Sequence, residues 1–341
     1  MNVSWVAPWH ESVGAPATRV LALLSSLAPT SVAEWCLGCV LIALGTWTGV
    51  AAAWAARGGA ASAARSLGLL TGAGAVCAAI FYAIWGANYA RPPLADVLGL
   101  EDTADDDALV LLAGAFVERT NRAYVEAFGS GDLGVVAPVA ERVDEAVDEG
   151  LASAVASLGL PGHMGRSHGP HKELRFAGGV VARLGISGFF FPFTGEANVV
   201  PGSPPAFRTH VIAHEKAHQR GLASEDEANF LGFVACISSP DPRVRYAGWW
   251  FAQRTVLTAI SSTRRGEVSA LVQVRERGVQ RDVDANRRFW AAYQGSASEL
   301  GHAVNDAYLR LHRVKGGARS YGLSVRLIAS WYNESVVRSD R

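Results

Sequence analysis

Two long stretches of the chain contain no charged residue, and they restrict the possible folds more than any other feature. Residues 35–56 supply 22 uncharged positions, and residues 66–90 supply 25 more. A helix rises about 1.5 Å per residue, so either stretch can cross about 30 Å of hydrocarbon. Neither stretch contains a histidine, so we expect no chemistry inside the bilayer. The pattern predicts two membrane-spanning helices, and two buried helices of a soluble protein are the alternative.

The charges beside the two stretches predict their orientation. The short connection carries Arg57 and Arg65 and no acid, whereas the segment after the second stretch is acidic between Asp96 and Asp107. Because positively charged loops remain in the cytoplasm, we expect both flanks of the hairpin on the extracytoplasmic side. Residues 1–34 lack a full span, and we expect them to lie at the membrane interface or against the spans.

Composition divides the chain into three parts. Hydrophobic residues make up 50% and charged residues 18%, but the uncharged block is concentrated in residues 35–90 and the remainder has an ordinary soluble composition. We expect an N-terminal extracytoplasmic or interfacial segment over 1–34, a two-helix transmembrane hairpin over 35–90, and one folded domain over 91–341. The formal net charge is zero, and the absence of basic runs argues against nucleic-acid binding. The four cysteines suggest no disulfide framework.

A metal-binding motif lies in the third part, at residues 214–218. His214 and His218 stand one helical turn apart with Glu215 between them, which matches HExxH, the zincin signature. At this spacing both imidazoles leave one face of a helix and can share a tetrahedral zinc ion. Glu215 lies about 100° around the helix, where it can act as a general base on a zinc-bound water. A surface helix with two solvated histidines is the alternative.

The residues after the motif predict a third ligand. Gly221 should end the first helix, and Ser224 should begin a second. In the glutamate-type zincins the third ligand comes from a following helix, and Glu225 fits the spacing of that class. Asn229 is placed for a hydrogen bond to a ligand histidine. Glu227 points about 200° away from Glu225 and is the weaker candidate; an acidic first turn that complements the helix dipole explains such residues without a metal.

Four further histidines lie near the motif in the sequence. His210 precedes His214 by one turn, and we expect it in the approach to the helix rather than on the metal. His163, His168 and His171 match no zinc-binding spacing. We therefore expect these three residues to belong to a flexible loop.

One segment of the third part lacks helical periodicity. Residues 180–193 are compatible with β-structure, and residues 194–200 should complete a hairpin or an edge strand. Zincins bind an extended substrate by adding it to an edge strand beside the zinc helix, so Glu196 and Asn198 are candidate substrate-binding residues. A purely structural hairpin is the alternative. Helical patterns are found at residues 107–128, 135–158, 242–262, 267–293 and 296–312, and an apolar segment follows at 319–332.

Five sequence blocks follow one another over nearly the whole chain, at residues 85–94, 192–198, 214–230, 245–248 and 319–322. In this order they resemble the motif blocks of a bacterial membrane family catalogued as domain of unknown function 3810. The resemblance implies membrane helices ahead of a domain similar to glutamate-ligand zinc metallopeptidases (gluzincins). Members usually show three spans, whereas two are clear here.

The resemblance also implies roles for two tyrosines in the pocket. The phenol groups of Tyr246 and Tyr321 could each donate a hydrogen bond to an oxyanion. We expect Tyr246 among the catalytic residues and Tyr321 among the residues that contact the substrate. Packing in the core is the alternative role for both side chains.

Together these patterns predict a mainly α-helical protein with a small β element, in which two transmembrane helices precede a zincin-like extracytoplasmic α+β domain. The predicted function is zinc-dependent peptide hydrolysis at the cell membrane, on a peptide or protein substrate of the cell envelope. Zinc (Zn²⁺) would be held by His214, His218 and Glu225. A zinc-binding sensor or scaffold without catalytic activity is the alternative, and Glu215, which a structural zinc site does not need, favours the enzyme.

Overall fold

A computed structural model describes residues 6–57, 60–101, 105–130, 136, 138–295, 299, 301, 303 and 321–339. Over these residues the protein is mainly helical and contains one small sheet. The described helices are α1 (Val6–Trp9), α2 (Ala15–Ser26), α3 (Val32–Ala56), α4 (Ala60–Ile84), α5 (Leu94–Leu98), α6 (Asp106–Phe128), α7 (Val143–Ser157), α8 (Gly178–Arg183), α9 (Pro205–Gln219), α10 (Glu225–Ile237), α11 (Pro242–Ile260), α12 (Arg265–Gln273), α13 (Arg277–Ala291) and α14 (Tyr321–Ser339). A π-helical turn spans His10–Gly14, and 3-10 turns span Gly86–Ala90 and Gly162–Gly165.

Two of the long helices begin at side chains that accept backbone hydrogen bonds. Asp105 accepts from the N–H of Ala108 at the start of α6 (2.8 Å), and Asp241 accepts from the N–H of Arg243 at the start of α11 (2.7 Å). Such caps satisfy amide groups that have no partner within the helix. The apolar faces of α6 and α11 then pack against each other in the main hydrophobic core.

The main core is organised around α10, which packs against α7, α9, α11 and α14. Two glycines allow the helix backbones to approach closely. A Cβ atom at Gly150 of α7 would lie only 2.2 Å from the carbonyl oxygen of Ala235, and one at Gly232 of α10 would lie 3.1 Å from the backbone nitrogen of His214. The glycine on α10 therefore brings α10 and α9 together, and these two helices supply the candidate site described below.

The sheet has three strands in the order β1 (Lys172–Glu173), β3 (Glu196–Val199) and β2 (Gly188–Phe191). β1 pairs parallel to β3, whereas β2 and β3 form an antiparallel hairpin that aligns Phe189 with Asn198. β2 is thus an edge strand of the described sheet, and both strands of the hairpin pack against α9. The predicted hairpin with an edge strand beside the motif helix is confirmed.

The helices α3 and α4 contain the two predicted uncharged stretches. Their apolar parts, Val32–Trp54 and Ala64–Ile84, are long enough to cross a membrane, and the most apolar 18 residues of each are not buried inside the protein. A core helix of a soluble protein would be mostly buried, so that alternative does not fit. The second predicted stretch is displaced, because α4 already ends at Ile84 and Gly86–Ala90 form a 3-10 turn.

Three predicted boundaries are wrong because tertiary contacts or glycines override the local pattern. α7 begins only at Val143, and the first part of the segment 180–193 belongs to the short helix α8, after which Gly185 turns the chain at φ 74°. The predicted helix 267–293 is broken into α12 and α13. Asn121 of α6 causes this break, since its side chain bonds the backbone of Val274 and Glu276 (2.8 and 2.9 Å). The predicted helix 296–312 lies almost entirely outside the described residues.

Candidate metal centre

The HExxH motif lies on α9, and the third predicted ligand opens α10. α9 starts with Pro205 at its first position and ends at Gln219. Gly221 then adopts φ 89°, a conformation that side chains disfavour, and this reverses the chain. Ser224 is the N-cap residue of α10, as predicted, but its hydroxyl bonds the carboxylate of Asp226 rather than a backbone amide. The tight turn between the two helices places the first residue of α10 beside the motif.

The side chains of His214, His218 and Glu225 converge on one point. The two Nε2 atoms are 3.1 Å apart, and Nε2 of His214 lies 3.2 Å from Oε2 of Glu225. Nε2 of His218 lies 3.8 Å from Oε1 of the same carboxylate. A tetrahedral zinc ion with bonds of about 2.0–2.1 Å separates its ligand atoms by roughly 3.3 Å. The three donors therefore fit a single zinc ion, and they form a metal-capable cluster among the described residues.

The contacts around His218 favour its role as a metal ligand. Nδ1 lies 2.6 Å from the carbonyl oxygen of Leu222. A carbonyl oxygen only accepts, so Nδ1 carries the proton and the lone pair of Nε2 points to the cluster. Trp85 donates its indole N–H to the backbone carbonyl of His218 (3.0 Å), and the two rings pack edge to face. These contacts fix the histidine in both rotation and position.

His214 is held less completely. Its Nδ1 atom is buried and forms no well-aligned hydrogen bond with the described residues. The side chain of Asn229, predicted to support a ligand histidine, does raise the pKa of this ring, although its Nδ2 atom lies 3.4 Å from Ser324 Oγ. Burial lowers the pKa of His214, but the hydrogen bond that the ring donates to Glu225 and the charge of Glu215 outweigh this effect, so the pKa is raised.

Glu215 is buried between the cluster and strand β2. Its Oε2 atom has no hydrogen-bond partner among the described residues, and Oε1 faces Gly188, where a Cβ atom would lie 2.8 Å away. Burial raises the pKa of Glu215 to about 8 despite the nearby His214. A carboxyl group whose pKa is near neutrality is suited to accept and return a proton.

The pKa values of the other two members of the cluster, Glu225 and His218, are lowered, in contrast to the raised pKa of His214. Burial opposes ionisation of Glu225, but its hydrogen bond to His214 and the charge of His218 outweigh this and lower its pKa to about 2. Burial and the charge of His214 lower the pKa of His218 to about 4. These pKa shifts favour an ionised Glu225 and a neutral His218, the protonation states that metal binding requires, whereas the raised pKa of His214 favours a proton that a metal would have to displace.

The opposite side of α9 carries a buried network of charges that the sequence did not predict. Lys216 and Arg220 are fully buried; Nζ of Lys216 lies 3.0 Å from both Asp144 and Asp148, and Arg220 lies 2.9 Å from Asp148. His171 also lies 3.0 Å from Asp144. The acids are one turn apart on α7, and that spacing was the only available signal. The network fixes α9 to α7 and to the loop before β1.

Two neighbouring residues that sequence reasoning ranked as weaker ligands lie apart from the cluster. His210 does not precede the helix but lies within α9, where it stacks on Phe251 at 3.5 Å between ring centroids. Glu227 accepts a hydrogen bond from the N–H of Leu94 at the start of α5 (2.6 Å). Neither residue belongs to the metal-capable group among the described residues.

Glu196 and Asn198, which were predicted to bind the substrate, have side chains that are engaged inside the protein. Both are buried. The carboxylate of Glu196 accepts hydrogen bonds from the N–H groups of Val32 and Ala33 at the start of α3 (3.0 and 2.7 Å). Asn198 accepts one from Ser31 (2.7 Å). The two residues fix the first apolar helix to the sheet because their side chains point to the helix N-terminus, where an anionic oxygen is stabilising.

Tyr246, which was predicted to be catalytic, lies apart from the metal-capable cluster. Its hydroxyl is buried and donates to Asp282 (2.6 Å), and its ring packs against Tyr124 and Phe128. It therefore belongs to a separate aromatic core and is not free to bind an oxyanion. Tyr321 is the first residue of α14, but its side chain lies outside the described residues.

The three histidines of the loop before β1 each contact another part of the protein. His168 is buried and bonds the carbonyl of Arg166 (3.0 Å). His171 bonds Asp144, and His163 lies 3.8 Å from Glu11. Where the structure describes the chain, these histidines join no metal-capable group. The loop covers the charged network beneath α9, since its backbone carbonyls at Gly169 and Arg166 accept hydrogen bonds from Lys216 and Arg220.

Comparison with known proteins gives one match. No curated protein and no solved structure matches this chain. The model of a family described as "Protein of unknown function (DUF3810)" matches residues 11–329. This match includes both apolar helices, the sheet, the metal-capable cluster and the start of α14. The chain therefore belongs to the DUF3810 family.

Proposed function

We propose that this protein is a membrane-anchored, zinc-dependent peptidase. The observation that carries the proposal is the convergence of His214, His218 and Glu225 to within 3.8 Å beside a buried glutamate. A structural zinc site is normally closed by four protein ligands, whereas a catalytic site uses three and leaves a position for water. Only three donors converge among the described residues. The second reading, a zinc-binding sensor or scaffold, gives no role to Glu215.

Each side chain has a defined role in the proposed hydrolysis. Zinc would activate a water molecule and polarise the scissile carbonyl group. Glu215 accepts the proton of the attacking water and returns it to the leaving nitrogen, and its raised pKa suits both transfers. The bond between His218 and Leu222 keeps the ligand nitrogen unprotonated. Burial excludes bulk water from the carboxyl group of Glu215 and strengthens its electrostatic interactions.

Strand β2 is the proposed binding edge for the substrate. It pairs with β3 on one side only within the described sheet, so its other edge offers backbone groups. A hydrogen bond from the backbone of Phe190 reaches Glu215, which places this strand beside the catalytic base. An extended peptide added to β2 would bring its carbonyl groups past Glu215 and the zinc site.

Zinc content tests the ligand assignment. We expect about one zinc ion per chain in the purified wild-type protein and a large loss in Glu225→Ala, since two histidines alone hold zinc poorly. Glu227→Gln is the matched control, because it removes a carboxylate from the same turn but can still accept the hydrogen bond from Leu94. Equal zinc content in wild type and Glu225→Ala would exclude Glu225 as a ligand.

Peptide hydrolysis tests the role of the base. Glu215→Gln should retain zinc and lose hydrolysis by about 10²–10⁴-fold, the usual contribution of a general base. The substrate is a fluorogenic peptide mixture, and zinc is measured on the same preparations. Hydrolysis by Glu215→Gln at the wild-type rate would disprove the proposed mechanism. A wild-type protein that binds zinc and cleaves none of these peptides would favour the sensor or scaffold instead.

A further inference from the structure

The metal-capable cluster is attached to the second apolar helix without a linker. α4 ends at Ile84, and the next residue, Trp85, is buried. The indole N–H of Trp85 donates to the carbonyl of His218 (3.0 Å), and its ring centroid lies 5.4 Å from that of Phe190. The first residue after the apolar helix therefore contacts both a metal-ligand residue and the proposed binding edge.

The first apolar helix is attached just as directly. Glu34 lies in the first turn of α3. Its carboxylate accepts hydrogen bonds from the N–H groups of Arg175, Phe176 and Ala177 (2.9, 2.9 and 2.7 Å). Glu196 of β3 bonds the opening amides of the same helix. Flexible linkers are what allow a domain to move away from its anchor. These two sets of hydrogen bonds hold the start of α3 against the sheet, and the hydrogen bond of Trp85 holds the end of α4 against α9.

Exposed apolar side chains surround the start of α3. We call Leu24, Leu27, Trp35, Phe176 and Val180 the apolar rim. Their exposed fractions are 61%, 82%, 56%, 67% and 60%, and the rings of Trp35 and Phe176 pack edge to face with centroids 5.3 Å apart. Large apolar side chains at this exposure are costly in water but suit the boundary between lipid headgroups and acyl chains. The rim is continuous with an apolar helix of membrane-spanning length, which identifies lipid as its partner.

We propose that the site acts at the bilayer surface and that its substrates are chains anchored in the same membrane, cleaved within a few residues of their anchor. This inference rests on the proposed peptidase function. The bilayer that holds α3 and α4 meets the rim, and Trp85 places the cluster next to that boundary. A membrane-anchored chain presents the segment beside its anchor to β2 at high effective concentration. A folded soluble protein would have to bring its cleavage segment down to the lipid surface.

The position of the rim is tested without any measurement of catalysis. A fluorescent label is attached at Phe176→Cys in a full-length chain whose four natural cysteines are replaced by alanine, and the protein is reconstituted with brominated lipids. The control is Val274→Cys, an equally exposed position (62%) that lies against α6. We expect strong quenching at position 176 and little at position 274. Equal quenching at both positions, or none at 176, would overturn the placement at the surface.

The substrate class is tested with anchored peptides. Wild-type protein in vesicles receives a quenched fluorogenic peptide mixture, either free or attached to a lipid through Gly-Ser spacers of about 2, 10 or 30 residues, which extend roughly 8 to 30 Å. We expect the shortest spacer to support hydrolysis about 100-fold faster than the free peptide at equal bulk concentration. A site remote from the bilayer would instead cleave only the free peptide or the longest spacer.

The same assay separates failure of this inference from failure of the proposed function. Hydrolysis of the free peptide and the long spacer, with none on the short spacer, would overturn the membrane-anchored substrate class and leave the peptidase intact. Absence of hydrolysis on every peptide by a zinc-loaded protein would overturn the peptidase itself, and the substrate class with it. Detergent-solubilised protein with the free peptide serves as the control for access through the vesicle.

Discussion

The two sides of α9 are both buried and polar, but they differ in how their polar atoms are satisfied. On one side, Lys216 and Arg220 are neutralised by two aspartates, and the atoms without a partner in the described part of the chain are peripheral ones, Nε of Arg220 and Nε2 of His168. On the other side, two imidazole nitrogens face each other at 3.1 Å, and an oxygen of Glu215 and Nδ1 of His214 are without partners among the described residues.

The difference separates a structural cluster from a candidate functional one. Buried charges are tolerated when opposite charges and hydrogen bonds satisfy them. Two imidazole nitrogens 3.1 Å apart and a carboxylate oxygen without a partner are polar atoms that a cation or a substrate would complete. One helix thus carries both a set of contacts that fixes its position and a set of donors held ready for a ligand. The following predictions test that separation.

The largest expected effect concerns the paired side. Asp148→Ala removes the carboxylate that faces both Lys216 and Arg220, and leaving buried charges with fewer partners costs about 3–5 kcal/mol. The free energy of unfolding is measured in detergent micelles. Glu145→Ala on the same helix is the control, because its half-exposed pair with Arg142 should contribute less than about 1 kcal/mol. Equal losses in the two variants would mean that the buried network does not stabilise the fold.

The second prediction concerns the space around Glu215. A Cβ atom at position 188 would lie 2.8 Å from Oε1 of Glu215 and 2.7 Å from the carbonyl oxygen of Asn198. Gly188→Ala should displace the base and slow hydrolysis by about 10-fold or more, since overpacking costs about 1–3 kcal/mol. Zinc content should be unchanged. In the control, Gly179→Ala, the nearest atom would be a terminal nitrogen of Arg183 at 3.6 Å, and a comparable loss there would contradict the local explanation.

The third prediction concerns acid stability and the loop over the paired side. Burial and the charge of Arg220 lower the pKa of His168 from its ordinary 6.5 to about 3. The folded protein therefore favours the neutral ring, and the unfolded chain takes up a proton first as the pH falls. The contribution of His168 to stability is complete above pH 6.5 and declines by up to about 1.4 kcal/mol per pH unit towards pH 3.

His168→Gln measures this contribution directly. The free energies of unfolding of wild type and variant are compared across the same pH range. The variant should lose less stability on acidification than the wild type, while the carboxylates of the network titrate in both proteins. A difference between the two proteins that stays constant with pH would show that His168 is not held neutral.

The smallest expected effect is that of a substitution in the aromatic core, which should change stability but not the metal cluster. Tyr246→Phe removes one buried hydrogen bond to Asp282, which should cost about 1–2 kcal/mol of stability. Hydrolysis should be unchanged, because the hydroxyl is engaged away from the cluster. Both properties are measured on the same preparation. A large loss of kcat with full zinc content would restore Tyr246 to the catalytic residues and weaken the distinction drawn here.

The sequence predicted contacts between residues that are close along the chain and missed contacts between residues that are far apart in sequence. His214 and His218 meet because they are four residues apart on one helix, and this geometry depends on helical spacing alone. Glu225 was also found, since only a short turn separates it from the motif. Lys216 and Asp148 are 68 residues apart, and no local pattern indicates that they pair.

The predicted site residues that the structure does not bring to the cluster share one feature, which is the direction in which the side chain points. Glu196 and Asn198 were expected on an edge strand, and they do lie on the hairpin beside α9. They occupy its central strand, β3, and their side chains bond the segment that starts α3. Tyr246 lies in a family motif, but its hydroxyl turns to Asp282. Periodicity and motifs give a residue's position along an element, whereas packing between elements gives its partner.

The sequence by itself determined the local properties of this protein: two uncharged helices of membrane-spanning length, the helical pair of histidines, and the hairpin beside them. Each of these follows from repeat distances within about 25 residues of chain. The tertiary structure decided that the ends of both apolar helices are bonded to the sheet and to His218, and that the buried cations of α9 find their acids on α7. Those outcomes depend on contacts between distant segments, whose free energy arises only when the whole core is packed.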